Sequence, residues 1–445
     1  MLLLANKLKP REIIMPVHRP PSSFIVVLTL AFVTFIDTLG LAILYPLLSP
    51  LFLLPSNEGL VHIDTSLDLR HFYFGLTLIL FPLATFFSAP MMGDLSDQFN
   101  RKSILLFCLI GTLFSYLLAA VAIWHHSLIL FFLSRVLAGL TAGSQPIAQA
   151  AIIDISNDRN KAYHLSLMIL AISLGYAGGP LLSGLLSQSN FISHSNLITP
   201  LIVAGMLSLI NTLLLIFSYH EIARTRFITK KIDLFRSFRE FTALLAETNY
   251  KKICGIYALF QFAWGFYFQF IAVYLAEARG FTPYMIGIFM TLIAVGFSVA
   301  SLGLVRCLIR YMTMSNAVGI ALISATVLFY ATTRVSQLNY IAWSISILVG
   351  IVMGVACTYL LTFFSEITSA ENQGKVMGIT ASITALTLII SSVIGSAMLK
   401  MSSSAPLVLA TLFSFICYFM VRRYHHESQI FKVQIKNTEN IQLLN

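Results

Sequence analysis

Twelve apolar runs, each about as long as a membrane crossing, limit what this 445-residue chain can fold into. They cover residues 24–54, 72–92, 103–123, 127–153, 163–187 and 200–219, then 253–276, 283–305, 313–333, 338–364, 376–399 and 403–421. A helix needs roughly 20 residues to cross a ~30 Å hydrocarbon core, and every run reaches or approaches that length. None alternates with the period of two that a membrane barrel requires. Hydrophobic residues make up 58% of the chain and charged ones only 10%, too little polar surface to cover soluble domains of this size. The expectation is an all-α membrane protein of twelve transmembrane helices.

Only one long polar break interrupts the runs, at residues 220–252, and it divides them six and six. The chain then reads as a cytoplasmic arm (1–23), a six-helix bundle (24–219), a central cytoplasmic loop (220–252), a second six-helix bundle (253–421) and a cytoplasmic tail (422–445). Two six-helix halves around a midplane site are what alternating access uses. A weak internal repeat fits this division. "AIIDISNDRNKAYHLSLMI" after the fourth run has a loose counterpart in "FFSEITSAENQGKVMGIT" after the tenth, with Asp154 opposite Glu366.

Basic residues set the orientation. With a cytoplasmic N-terminus, 23 of the 28 Lys and Arg residues lie inside and four outside (Arg70, Arg279, Arg334 and Lys400), with Arg135 within a span. Both termini are therefore expected in the cytoplasm, and the net charge of +10 reports topology and contact with anionic lipid rather than a nucleic-acid partner. The first 23 residues lack the apolar core and cleavage site of a signal peptide. Five cysteines show no paired spacing and read as buried free thiols. All ten histidines fall in loops, tails or helix ends, which argues against a buried histidine relay.

One charged cluster stands out between the second and third runs: "GDLSDQFNRK", residues 93–102. It resembles the signature loop of the major facilitator superfamily, with Gly93, Asp97, Arg101 and Lys102 matching and Asn100 where glycine is common. The counterpart in the second half, "GLVRCLIRYM", keeps Gly303, Arg306 and Arg310 but has Cys307 in place of the acid. The resemblance implies a cytoplasmic gate in which Asp97 meets the N-terminal end of the eleventh helix near Gly374 and Lys375, with Asp154 belonging to the same set. A carboxylate near a helix N-terminus is worth about 0.3–1 kcal/mol, weak enough for a gate. A plain turn carrying topogenic basic residues is the simpler alternative.

The fifth run, "AISLGYAGGPLLSGLL", places Ala171, Gly175, Gly179 and Ser183 at every fourth position, with Pro180 interrupting the backbone ladder. Such a small-residue stripe allows close helix approach. Gly175, Gly179, Pro180 and Gly184 resemble the antiporter motif of drug:proton exporters. The first run, "IDTLGLAILYPLLSP", has Asp37, Gly40 and Pro46 where tetracycline-resistance efflux proteins start, with Pro50 one residue late. Asp37 lies about 20 Å along its helix, well inside the bilayer. An ionised acid there costs roughly 2.5–3.5 kcal/mol on insertion scales, which the surrounding apolar residues offset.

That cost favours a working role. The charge of Asp37 depends on which side water reaches, so it is the proton-carrier candidate. Arg135, in "RVLAGLTAG", lies at a similar depth on the fourth run and resembles the family's proton-coupling arginine. It either neutralises Asp37 statically or tunes it and is released when a proton or cation arrives. The third and ninth runs carry no acid, unlike those of tetracycline exporters. For the substrate, Gln145 and Gln149 share a face of the fourth run, and the seventh offers Gln261, Trp264, Phe268 and Gln269. These groups either line a cavity or pack between helices.

Nothing here forms a phosphate loop, a His-Glu-x-x-His pair or any metal site, and an enzyme is not expected. No cofactor is implied. The whole reads as a proton-coupled secondary transporter of a bacterial inner membrane, acting as a monomer and exporting small amphipathic compounds or drugs by alternating access. The alternative is a proton-coupled importer or exporter of a physiological metabolite, such as a siderophore or amino-acid derivative.

Overall fold

A computed structural model of the chain describes residues 24–54, 59–62, 64–156, 160–187, 197–219, 248–308, 310–334, 340–366 and 373–442. It contains twelve helices long and apolar enough to cross a membrane. In chain order they are α1 (Phe24–Ala42 continued by Tyr45–Phe52), α2 (Leu67–Gln98), α3 (Arg101–Trp124), α4 (Leu128–Leu140 continued by Ser144–Ile155), α5 (Lys161–Leu186) and α6 (Thr199–Ser218). The second half has α7 (Thr248–Arg279), α8 (Pro283–Val299, extended through a π-turn at Ala300–Leu304 to Leu308), α9 (Met314–Thr332), α10 (Tyr340–Glu366), α11 (Gln373–Met398) and α12 (Ala405–Gln442). Twelve crossings among the described residues put the start of α1 and the end of α12 on one face of the bundle, here the terminal face; the opposite one is the distal face.

Two helices run past the apolar limits read from the sequence. α7 starts at Thr248, inside the segment read as central loop, and α12 continues to Gln442, through the segment read as tail. Polar residues such as Lys251, Glu427 and Lys432 carry good helix propensity, so the helix outlasts the apolar run that a hydropathy reading detects.

The halves repeat each other. In the first, α1 packs on α5 and α6, α3 on α4 and α6, and α2 on α4. Adding six to each number gives the packing of the second: α7 on α11 and α12, α9 on α10 and α12, α8 on α10. The contacts that join the halves obey the same rule, because α2 with α11 and α5 with α8 are each other's equivalents. This is the major facilitator arrangement of two six-helix bundles.

The joining contacts with side-chain detail gather from mid-bundle toward the distal face. Phe74 meets Phe270 with ring centroids 6.0 Å apart, and Tyr45 meets Phe268 at 5.0 Å. Thr291 Oγ1 donates to the Ala177 carbonyl at 2.9 Å, and Gly184 lies directly against Tyr284. Buried apolar residues on both sides of this seam form one continuous core, with a second cluster near the terminal face of the first half around Leu30, Leu105, Cys108 and Ile152. Cys108, Cys254 and Cys417 are buried free thiols and Cys357 is half-buried, but Cys307 is exposed; its position after the π-turn of α8 turns it outward.

Candidate functional site

Asp37 sits in the fourth turn of α1, between the fully buried Ile36 and the nearly buried Thr38. Its carboxylate Oδ2 accepts a hydrogen bond from Ser144 Oγ. Ser144 can reach it because α4 is interrupted. The helix stops at Leu140, turns through Thr141–Gly143 and restarts at Ser144, so the hydroxyl projects from the first residue of the second segment. At the end of the first segment the Leu137 carbonyl accepts both the Thr141 backbone N–H at 3.2 Å and the Thr141 Oγ1 hydroxyl at 3.0 Å.

Arg135 belongs to the first segment of α4 and is 3% exposed. Its guanidinium lies over the Phe131 ring, 5.4 Å from the centroid, and Nε donates weakly to Ser134 Oγ at 3.3 Å. Nη2 is buried without a hydrogen-bond partner among the described residues. A buried donor left unsatisfied costs about 1–3 kcal/mol, which makes this arginine a poised group rather than a settled one. The two residues that depth alone places together do not form an ion pair in this conformation. Tyr116 of α3, 4% exposed, lies within electrostatic reach of both. Its hydroxyl presses against α1 at Gly40, where any side chain would collide with it. Sequence reasoning missed Ser144 and Tyr116: a serine after a glycine and a tyrosine in an apolar helix carry no signal until the bundle is assembled.

The small-residue motif of α5 divides its work between two partners. Gly175 and Gly179 lie on α1 on either side of Asp37's turn; a Cβ at Gly179 would come within 2.6 Å of the Leu39 carbonyl, and one at Gly175 within 2.7 Å of that of Phe35. The backbones of α1 and α5 are therefore in direct contact. Pro180 and Gly184 instead face α8 of the other half, where the Pro180 carbonyl abuts Gly287. One helix thus links the acid-bearing α1 to the seam between the halves.

At the terminal face, Arg101 opens α3 and is 8% exposed. Its Nε donates to Asp154 Oδ2 at 2.6 Å, and Nη1 to Ser96 Oγ at 3.3 Å, while Ser96 Oγ in turn donates to the Gly93 carbonyl at 2.8 Å. Lys102 Nζ donates to the Ile216 carbonyl at 2.7 Å, a cation on the C-terminal end of α6. The structure therefore brings Gly93, Arg101 and Asp154 together through Ser96, sends Lys102 to α6, and so ties the ends of α2, α3, α4 and α6. Asp97 is in the last turn of α2 and Gly374 in the first turn of α11, but the surroundings of both lie outside the described residues.

The residues read as substrate contacts separate into two groups. Trp264 and Phe268 are half-buried and stacked at 5.1 Å; Tyr45 of α1 meets Phe268 edge-on, and Phe297 of α8 lies 6.2 Å from Trp264. Three helices from both halves thus contribute to one aromatic group. Gln145 is half-buried and Gln149 exposed on the second segment of α4. Gln261 and Gln269 are buried, with their amides engaged by α11: Gln261 Nε2 donates to Thr384, Gln269 Nε2 donates to Ser391 at 2.8 Å, and Ser392 donates to Gln269 Oε1. In this conformation those two amides fasten α7 to α11.

A histidine also appears where none was expected inside the bundle. His71, near the start of α2, is 2% exposed and faces Glu277.

Comparison with known proteins agrees with this architecture. The family model of the Major Facilitator Superfamily matches residues 30–392. The chain is 24% identical over 371 residues to the Tetracycline resistance protein, class C, of Escherichia coli, covering 83% of this chain and 88% of the relative. It is equally 24% identical over 371 residues to the class D protein of Salmonella ordonez, covering 80% and 84%. Among solved structures, the human organic anion transporter MFSD10 (TETRAN) superposes with a TM-score of 0.66 at 19% identity, covering 90% of this chain and 100% of that one. A D-xylose-proton symporter gives the same TM-score of 0.66 at 14% identity, over 88% and 96%. These last two speak for the fold alone. With twelve helices, paired halves and a family match over most of its length, the chain belongs to the Major Facilitator Superfamily and is a transporter, not an enzyme.

Proposed function

We propose that this transporter exports small amphipathic compounds across a bacterial inner membrane in exchange for protons, with both termini in the cytoplasm and the distal face outside. The observation that carries the reading is an acid inside the first span, Asp37, held by a single hydroxyl, in a half whose fourth helix also buries a guanidinium with an unused donor, Arg135. A carboxylate so placed can exchange Ser144 for a proton without dismantling an ion pair. The similarity to tetracycline resistance proteins over most of the chain supports export, and the α5 motif that joins α1 to the seam supplies a mechanical route from acid to gate.

On this reading substrate enters between the halves from the terminal face and meets the rings of Trp264, Phe268 and Tyr45, with Gln145 and Gln149 offering polar contacts. Asp97 and the N-terminal end of α11 near Gly374 close the terminal face behind it. Protonation of Asp37 from outside resets the cycle. Moving one charge across the membrane supplies about 2.3 kcal/mol per 100 mV, enough for modest accumulation.

Everted vesicles loaded with a fluorescent pH dye test the proposal against a panel of amphipathic compounds. The expected result is substrate-evoked proton efflux from the lumen, lost in Asp37→Asn. Proton movement in the same direction as substrate would overturn export and support an importer.

A further inference from the structure

The seam on the distal face contains a polar contact that apolar packing does not require. His71 Nε2 of α2 lies 3.3 Å from Glu277 Oε1 of α7, with the imidazole 2% and the carboxylate 20% exposed. It bridges the two halves. One turn further along α2, Phe74 packs on Phe270, and Gly75 lies directly against Ser396 of α11, so the pair is sealed on its inner side.

The second imidazole nitrogen decides how the pair is bonded. Nδ1 of His71 is buried without a partner among the described residues. A hydrogen on that atom would be stranded in the seam, whereas a lone pair is tolerated at lower cost. The imidazole therefore carries its proton on Nε2 and donates it to the carboxylate. The neighbouring cations are committed elsewhere. Arg70 donates to the carbonyls of Thr65, Leu53 and His62 at 3.1, 3.2 and 3.2 Å, and Arg279 to that of Thr333 and to Tyr274 Oη, both at 2.8 Å.

We propose that His71 and Glu277 are the latch of the distal gate: their hydrogen bond holds α2 to α7 while that face is shut and breaks when it opens. The inference rests on the alternating-access reading above. When the seam is closed, the bond offsets the lost hydration of both groups; when it opens, water replaces the bond, so the two states stay close in energy. Aromatic contacts beside it give the seal its area, while the directional bond fixes which residues face each other.

Distance measurement between spin labels tests this without substrate, so failure here is distinct from failure of the export reading. Labels go on Asp68→Cys and Lys400→Cys, both exposed and on opposite halves of the distal face, in full-length protein lacking its five native cysteines. Glu277→Ala and His71→Ala should each raise the ratio of long to short distances by about tenfold, the loss of one hydrogen bond to a charged acceptor. The double variant should raise it no further, and His71→Gln, which keeps a donor, should match the parent. Distributions unchanged in both single variants, or effects that multiply in the double variant, would overturn the latch.

Discussion

Ser144 donates its hydroxyl hydrogen to Asp37 across the interface between α4 and α1, and this bond is the one direct polar tie on the acid among the described residues. Ser144→Ala removes it without changing backbone or volume by much. A hydrogen bond to a charged group is worth about 1.5–3 kcal/mol, so Ser144→Ala should lower stability by about that amount and, on the proposed coupling, also change the transport rate roughly tenfold. Asp37→Asn should retain folding and abolish proton exchange altogether. Initial rates in everted vesicles, with melting temperatures of the purified variants, check both outcomes.

Tyr116 presses on α1 at Gly40, only three residues from the acid. Gly40→Ala forces the ring aside and should cost about 1–3 kcal/mol, as overpacking does in a filled core. Removing the offending oxygen with Tyr116→Phe in the same chain should recover part of that loss. Thermal unfolding of the parent and the two variants in detergent reads the result; equal stability of Gly40→Ala and parent would show that α3 and α1 are not in contact here.

Arg101 and Asp154 form a part-buried ion pair that fastens the start of α3 to the end of α4. Removing either partner should weaken the terminal-face cluster by about 1–3 kcal/mol, and the double variant Arg101→Ala/Asp154→Ala should cost less than the sum of the two. A double-mutant cycle on melting temperature gives the coupling. Additive losses would place the pair's partners in separate networks.

Thr291 of α8 donates across the seam to the Ala177 carbonyl of α5, three residues before Pro180. Thr291→Val keeps the shape and deletes the donor, with a stability loss of about 1 kcal/mol. Because the bond joins the halves, the transport rate should change more than the melting temperature does. Parallel shifts of both would mark the bond as ordinary packing.

Much of the architecture is legible in the chain itself, because apolar length acts locally. Twelve crossings and their six-and-six division need no knowledge of which helices touch. Arg101 and Asp154 read as members of one terminal-face set, but their ion pair is set by how the ends of α3 and α4 meet. Interior contacts are another matter. Depth alone pairs Arg135 with Asp37, yet Ser144 takes the acid, an outcome set by the break at Thr141–Gly143. Gln261 and Gln269 look like cavity residues from α7 alone, but α11 presents Thr384, Ser391 and Ser392 to them. His71 reads as a loop-edge histidine; only the approach of α7 encloses it.

The interruption in α4 has a mechanical consequence. Arg135 belongs to one helical segment and Ser144 to the next, joined by the three residues Thr141–Gly143, so the backbone does not fix the spacing of the cation and the hydroxyl. A continuous helix would have locked their spacing and made the two arrive or leave together. If Asp37 carries the proton as proposed, a gap of a single turn in α4 lets the cation and the hydroxyl act on it at separate steps.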